Sequence, residues 1–212
     1  MKINYQIEME RELARIARSG ARPRLLLHSC CAPCSSAVLE RLNDTFDIAV
    51  FYYNPNIAPE AEFVRRAEEQ RRLIDALPHA GKIEFIQGEY APEVFYEACR
   101  GHEDDPEGGE RCTRCFRLRL SRAAALAAQR GDNYFATTLS ISPLKDAQRL
   151  NAIGLELSAG CGVSWLPADF KKKDGYRRSI ELSAQYDLYR QDYCGCVFSR
   201  RRDFRSPASS QR

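Results

Sequence analysis

No stretch of this chain approaches the roughly 18 uninterrupted apolar residues needed to cross a bilayer, so the pattern excludes a membrane-spanning helix. The opening residues, Met1 to Glu8, lack the apolar centre of a secretory signal, which sets the expectation of a cytoplasmic protein with no membrane partner. Neither sign of charge dominates. Lys and Arg total 32 and Asp and Glu 29, a formal net charge of +3, too small by itself to establish nucleic-acid binding. Internal repeats and long flexible linkers are absent. A composition 44% hydrophobic and 29% charged excludes disordered, collagen-like and coiled-coil chains. What the sequence has in excess is cysteine: nine in 212 residues. In a reducing compartment, clustered cysteines are metal ligands or redox groups more often than structural disulfides. An odd count also argues against a fully paired framework.

The pattern of apolar residues alternates between strand and helix. A short amphipathic helix within residues 1–22, with Ile7, Leu13 and Ile16 as its apolar positions, ends near Gly20. Residues 24–28 read as a buried strand that meets a loop over 29–36, followed by a helix through Leu42. A second strand, 47–53, is stopped by Asn54-Pro55-Asn56. Residues 59–77 form a charged helix with Phe63, Ala67, Ile74 and Leu77 inward. The remaining expectations are a strand at 83–86, a helix at 92–100, a polar loop at 101–110, a helix at 112–128, a strand at 133–139, a helix at 146–159, a strand at 163–166 and a helix at 177–187. Such alternation predicts an α/β fold, a mostly parallel sheet with helices on both faces, whose functional loops lie at the carboxyl ends of the strands. Residues 1–212 are expected to form a single domain: an N-terminal helix in 1–21, a core over 22–200, and a flexible tail over 201–212.

Seven cysteines fall in three tight groups: Cys30-Cys31-x-x-Cys34, Cys112-x-x-Cys115 and Cys194-x-Cys196. The first sits where a strand turns into a helix, and the second opens a helix; unpaired N–H groups at such positions stabilise thiolates. In the third, Gly195 lets the backbone bend so that both sulfurs face one way. A metal or an iron–sulfur cluster needs three or four convergent thiolates. Seven exceed one four-ligand site, so the surplus implies a second metal or a redox dithiol. The plainer reading is a zinc staple built from two of the pairs, and Cys112-x-x-Cys115 alone fits that best. Against zinc stands the vicinal Cys30-Cys31, since zinc ligands usually have two to four residues between them. Cys99 and Cys161 lie outside the groups and read as small buried hydrophobes.

Five blocks together resemble a known family. They are His28-Ser29-Cys30-Cys31-Ala32-Pro33-Cys34, Phe51-Tyr52-Tyr53-Asn54-Pro55-Asn56-Ile57, Arg111-Cys112-x-x-Cys115-Phe116-x-Leu118-Arg119-Leu120, Thr137-Thr138-Leu139-x-Ile141-Ser142-Pro143 and Tyr189-Arg190-Gln191-x-Tyr193-Cys194-Gly195-Cys196-x-Phe198-Ser199. In order and spacing they are similar to the cobalamin-independent epoxyqueuosine reductases of the QueH type, over about residues 24–200. The resemblance implies the last step of queuosine formation: reduction of epoxyqueuosine at the wobble position of tRNA, with loss of the epoxide oxygen as water. It also implies a [4Fe–4S] cluster on Cys30, Cys31, Cys112 and Cys115, and a redox-active pair at Cys194 and Cys196. An alternative form of the family resemblance has a second mononuclear metal, iron or zinc, held by Cys34 with one or two of the remaining thiolates. A low-potential electron donor is implied without being identified. One departure stands out: the family often has His after Asn-Pro-Asn-Ile, and here that residue is Ala58.

Other residues carry weaker signals. His28 is either a hydrogen-bond donor to the centre or a buried histidine ending a strand. His79 and His102 read as surface residues. Asn54 and Asn56 are turn formers, with a role beside the site as the second reading. Thr137, Thr138, Ser142 and Lys145 follow a strand end, where ligands bind in open α/β sheets, and are held as substrate contacts. Asp192 is a candidate carboxylate ligand or proton donor. For RNA, the basic runs Lys171-Lys172-Lys173, Arg177-Arg178 and Arg200-Arg201-Arg202, with Tyr52, Tyr53, Tyr176 and Tyr189, fit single-strand recognition by stacking and phosphate contact. Taken singly, they fit a solvated basic face and core tyrosines. The first strand–loop–helix also resembles the adenine-nucleotide α-hydrolase-like fold of the PP-loop/HUP enzymes. There a Gly- and Ser-rich loop cradles phosphate, whereas cysteines fill the corresponding loop here, which disfavours ATP chemistry. Two competing functions remain: cluster-dependent sulfur transfer to tRNA, and a zinc-stapled RNA-binding module.

Overall fold

The computed structural model describes residues 2–78 and 82–199. His79, Arg200-Arg201-Arg202 and the expected tail at 201–212 lie outside the described residues. Five strands, β1 (Arg24–Ser29), β2 (Asp47–Tyr52), β3 (Glu84–Gln87), β4 (Tyr134–Thr137) and β5 (Ser164–Trp165), form one parallel sheet in the order β3-β2-β1-β4-β5. Among the described residues, seven α-helices accompany them: α1 (Tyr5–Ser19), α2 (Ala32–Leu42), α3 (Glu60–Ala76), α4 (Pro92–Cys99), α5 (Glu110–Arg130), α6 (Ala147–Cys161) and α7 (Gly175–Gln185).

The central strand shows why the sheet is covered on both sides. Side chains alternate across a strand, so Leu25 and Leu27 enter one core with Met9, Val38, Phe46 and Leu182. Leu26 enters the opposite core with Phe51, Phe116, Leu120, Phe135 and Trp165. An unbroken apolar run is what a strand buried on both faces requires. β1 pairs with β2 from Arg24↔Asp47 to Ser29↔Tyr52, and with β4 from Leu25↔Tyr134 to His28↔Thr137. The chain winds outward from β1 through β2 to β3, then returns to place β4 on the other side of β1. That reversal opens a crevice at the carboxyl ends of β1 and β4, the place where doubly wound sheets bind ligands. The α/β class, the parallel sheet and the helices on both faces agree with the sequence reading.

Three local departures have physical causes. In α1 the buried residues are Tyr5, Gln6, Met9 and Ile16, while Ile7 is exposed. Met9 and Ile16 lie seven residues apart on one stripe, and Ile7, two residues from Met9, falls on the far side. The strand expected over 133–139 stops at Thr137, because the Thr137 side chain accepts from the Leu139 amide (3.2 Å) and opens a 3-10 turn over Thr138–Ile141. The last helix begins at Gly175, where a Cβ would lie 1.9 Å from the Phe170 carbonyl oxygen.

Gly154 in α6 sits flat against Trp165. A Cβ there would come within 2.2 Å of the indole ring, which is buried and locked by a bond from Nε1 to Asn151 Oδ1 (2.9 Å). Gly154→Ala is therefore expected to lower the unfolding free energy by about 1–3 kcal/mol, the usual cost of overpacking. The gain in helix propensity, ~1 kcal/mol at most, offsets only part of that. A urea titration with an unchanged or raised midpoint would contradict this packing.

Candidate functional site

Cys30, Cys31 and Cys34 occupy the turn from β1 into α2, at the crevice described above. Cys31 is the N-cap residue of α2, with extended backbone (φ −170°, ψ 155°), and Pro33 in the first turn suits a position whose N–H would be unbonded. The three sulfurs lie within 4.8 Å of one another, the one grouping of three or more potential metal-binding side chains among the described residues. Cys30 and Cys31 sulfurs are 3.7 Å apart. Hydrogen bonds from Cys31 and Cys34 hold the Cys30 thiol well below its ordinary range, burial opposing and Arg119 assisting. Its bond to Cys30 pushes Cys31 up to about 12, and the same contact raises Cys34. The trio thus places three sulfur donors together at a helix N-terminus, which is the chemistry of a cation site.

The second pair opens α5. The Gly108 amide donates to Cys112 Sγ (3.3 Å). Cys115 is buried in a cluster with Phe95, Cys99 and Cys196, and burial pushes its thiol up to about 12 while Arg119 opposes. Cys112 and Cys30 both pack against the core on the α5–α6 side of the sheet. Cys99 is fully buried and burial raises its thiol to about 11. Cys161 is half-buried against the same core as Cys30.

The third pair lies on a strap held by α3. Arg66, 1% exposed, pairs with Glu62 (2.7 Å) and reaches the carbonyls of Cys194 (3.3 Å) and Tyr193 (3.4 Å). The Ala58 amide donates to the Gly195 carbonyl (2.9 Å), and the Tyr193 hydroxyl donates to the Ala58 carbonyl (2.9 Å). Ala58, the residue after Asn-Pro-Asn-Ile, therefore serves through its backbone. Gly195 has φ +102°, and a Cβ would lie 2.8 Å from Ile57 Cγ1, so glycine is needed for both conformation and space. The two sulfurs do not share one outlook: Cys194 lines the large cavity, while Cys196 joins Phe95, Cys99 and Cys115 in the interior. All nine cysteines are free thiols.

That cavity, about 1300 Å³, runs from Cys30 and Cys34 past Arg119, Lys145 and Cys194 to Tyr176, Tyr189 and Arg190. Lys145 Nζ bridges Cys194 Sγ (3.3 Å) and Glu107 (3.1 Å). Burial works against its charge, but Cys194 and Glu107 outweigh it and keep the ammonium protonated beyond the ordinary lysine range. Ser142 and Asp192 line the same space. On its wall Arg65 stacks 3.5 Å over the Tyr189 ring.

His28 is fully buried, with Nδ1 2.8 Å from Thr137 Oγ1 and Nε2 3.1 Å from the Tyr53 carbonyl. The carbonyl can only accept, so Nε2 carries the proton and Nδ1 accepts from Thr137. Burial, with Arg119 adding to it, lowers the imidazole to about 3, and it stays neutral. Both ring nitrogens are used within the protein. Asn54 does more than shape a turn: its Nδ2 donates to the Ser29 carbonyl (2.9 Å), and its Oδ1 accepts from Arg119. Asn56, Thr138 and Gln191 each keep a buried side-chain polar atom without a partner, and so does Arg119 at Nε. Orphans of this kind at one end of a sheet are what a site built for a polar occupant leaves behind. His102 is partly exposed and pairs with Asp105 (3.0 Å).

Of the basic runs expected to meet RNA, Lys171, Lys173, Arg177 and Arg178 are engaged by Asp169, Glu10, Asp174, Glu40 and Glu181. Tyr52 and Tyr53 are buried; Tyr176 and Tyr189 reach the cavity. Arg66, Arg119 and Glu107 carry charge at the site without having been singled out from the sequence. Arg119 had a readable signal: with Cys112 and Cys115 it keeps the i, i+3, i+7 spacing of one helix face.

A family described as "Epoxyqueuosine reductase QueH" matches residues 25–202. A relative named epoxyqueuosine reductase QueH from Staphylococcus epidermidis is 42% identical over 202 residues, covering 93% of this chain and 85% of the relative. One from Streptococcus pyogenes is 40% identical over 200 residues, covering 93% and 78%. One from Thermotoga maritima is 36% identical over 178 residues, covering 82% and 89%. A match spanning all three cysteine groups, at these identities and on this site, leaves one conclusion: the chain belongs to the epoxyqueuosine reductase QueH family.

Proposed function

We propose that this enzyme reduces epoxyqueuosine in tRNA to queuosine, the epoxide taking up two electrons and two protons to give the alkene and water. The observation that carries the reading is the thiol trio within 4.8 Å, opening on a cavity of about 1300 Å³, in a chain of this family. The donor set is all sulfur, which suits an iron–sulfur centre or a soft metal and not a hard, oxygen-seeking cation. Cys30, Cys31, Cys112 and Cys115 are the proposed [4Fe–4S] ligands, with Cys34 the candidate ligand of a second metal. Such a centre, when bound, supplies electrons singly, and an open metal position adds Lewis acidity towards an oxygen.

The chain's own residues supply binding and protons. The cavity exceeds the 300–1,000 Å³ usual for a small ligand and has room for a nucleotide with its neighbours. Tyr176, Tyr189 and Tyr193 give stacking faces, while Arg65 and Arg190 give charge for the flanking phosphates. Lys145 Nζ carries a proton on the cavity wall between Cys194 and Glu107, and Asp192 is a second candidate donor. Ser142, on the cavity wall, offers a polar contact to the substrate, while Thr138 and Asn56 are buried behind it. Affinity for tRNA is accordingly expected to fall as salt rises.

Cys194 and Cys196 are proposed as the redox-active pair. Cys194→Ala or Cys196→Ala is expected to lower turnover at least ~1000-fold, most of the ~10⁶-fold or greater acceleration typical of enzymes remaining out of reach, while iron is largely retained. Full turnover by Cys196→Ala would remove the dithiol role. The function as a whole is tested in two steps. Iron and acid-labile sulfide in anaerobically purified protein separate this reading from a zinc-stapled module. Nucleoside mass spectrometry of tRNA from a deletion strain then separates reduction from sulfur transfer, because epoxyqueuosine accumulates only if the reductase is missing.

A further inference from the structure

Arg119 is almost wholly buried, and among the described residues no carboxylate pairs with it. Its hydrogen-bonding partner is neutral Asn54, through Nη2. Its Nε is buried without an acceptor. A buried guanidinium is always charged, and one with no counter-ion is costly. Sulfurs from all three cysteine groups stand around it: Cys30 and Cys194 line the same cavity, and Cys115 is buried one turn earlier on the same face of α5, all of them favouring its charged form. A methionine would fill the same space at no electrostatic cost, so the retained charge answers to negative charge on those sulfurs. Asn54 fixes the guanidinium in turn, tied by Nδ2 to the Ser29 carbonyl at the end of β1.

We propose that Arg119 sets the reduction potential of the electron-carrying centre held by these cysteines, with Asn54 as its positioning residue. The inference rests on the cysteine site proposed above. Adding an electron makes a thiolate-bound centre more negative, and a fixed positive charge beside its sulfurs favours that reduced state. Net charge and hydrogen bonds to sulfur are recognised determinants of cluster potential. Arg119 supplies the charge. Removing its charge therefore makes the centre harder to reduce.

The test is an EPR-monitored redox titration of anaerobically prepared protein without tRNA, with iron counted in each sample. For Arg119→Met we expect a drop of at least tenfold in the ratio of reduced to oxidised centre at fixed potential, about 59 mV for a one-electron couple. Arg119→Lys, which keeps the charge, should stay within threefold of wild type. Asn54→Asp leaves the guanidinium in place but neutralises its field, and should shift the ratio in the same direction as Arg119→Met. A normally loaded Arg119→Met protein with an unchanged midpoint overturns the proposal and leaves the site assignment standing. Loss of fold or iron in all three variants makes Arg119 structural and overturns it equally. Wild-type protein that binds no iron sinks the site assignment itself, and this inference with it.

Discussion

Cys30→Ala is expected to weaken metal binding by more than about a hundredfold and to abolish turnover, with the fold intact. The reason lies in the charge distribution of the trio. Cys30 is the sulfur whose thiol the other two thiols and Arg119 hold below its ordinary range, and it lines the cavity. Cys31 is buried beneath it. Loss of a residue that only orients a ligand costs 10–100-fold in metal affinity; losing the thiolate that anchors the site costs more. The stability change should be small, since only a sulfur half-buried against the α5–α6 core is removed. Cys161→Ala is the matched control: it too is half-buried on that core, and it bonds only to the Ser158 and Val163 carbonyls. It should leave iron content unchanged. Equal iron in wild type and Cys30→Ala would refute the assignment.

Much of this arrangement was legible because local chemistry and global fold agree. The run Leu25-Leu26-Leu27 can be satisfied only by a strand buried on both faces, and alternation with amphipathic helices then implies a parallel sheet. The cysteines were legible because clustered thiols are rare without a function. Element ends drifted by a residue or two where local caps decide them, as with the Thr137 side chain that ends strand β4. Three things were hidden. The setting apart of Cys34 from Cys30 and Cys31 came from the family resemblance, while the spacing groups all three, and α2's first turn brings their sulfurs within 4.8 Å of one another. The buried charges, Arg66 and Arg119, look like ordinary surface arginines in composition. Only the tertiary structure shows that α3 and α5 turn them inward. The third pair was expected to present both sulfurs together, but the φ of Gly195 sends Cys194 towards the cavity and Cys196 into the interior.

Arg66→Met should be the costliest single substitution for stability, about 3–5 kcal/mol, the usual penalty for breaking a buried ion pair from one side. Glu62 has an 11% exposed side chain and would be left without its cation; only the Tyr189 hydroxyl, 3.2 Å away, would still donate to it. The carbonyls of Tyr193 and Cys194 would lose their donor at the same time, freeing the strap. Arg66→Lys keeps the charge but replaces a fork reaching three acceptors with a single ammonium, so it should recover only part of the loss. The decisive comparison is Glu62→Gln with Arg66→Met. Removing both charges leaves no unpaired ion, so the double variant should be more stable than Arg66→Met alone. Denaturant midpoints in that order would show that the arginine neutralises a buried carboxylate. If the double variant were no better than Arg66→Met, the cost would lie in the strap carbonyls instead. In either case Cys194 would no longer be held beside Lys145, and turnover should fall further than iron content does.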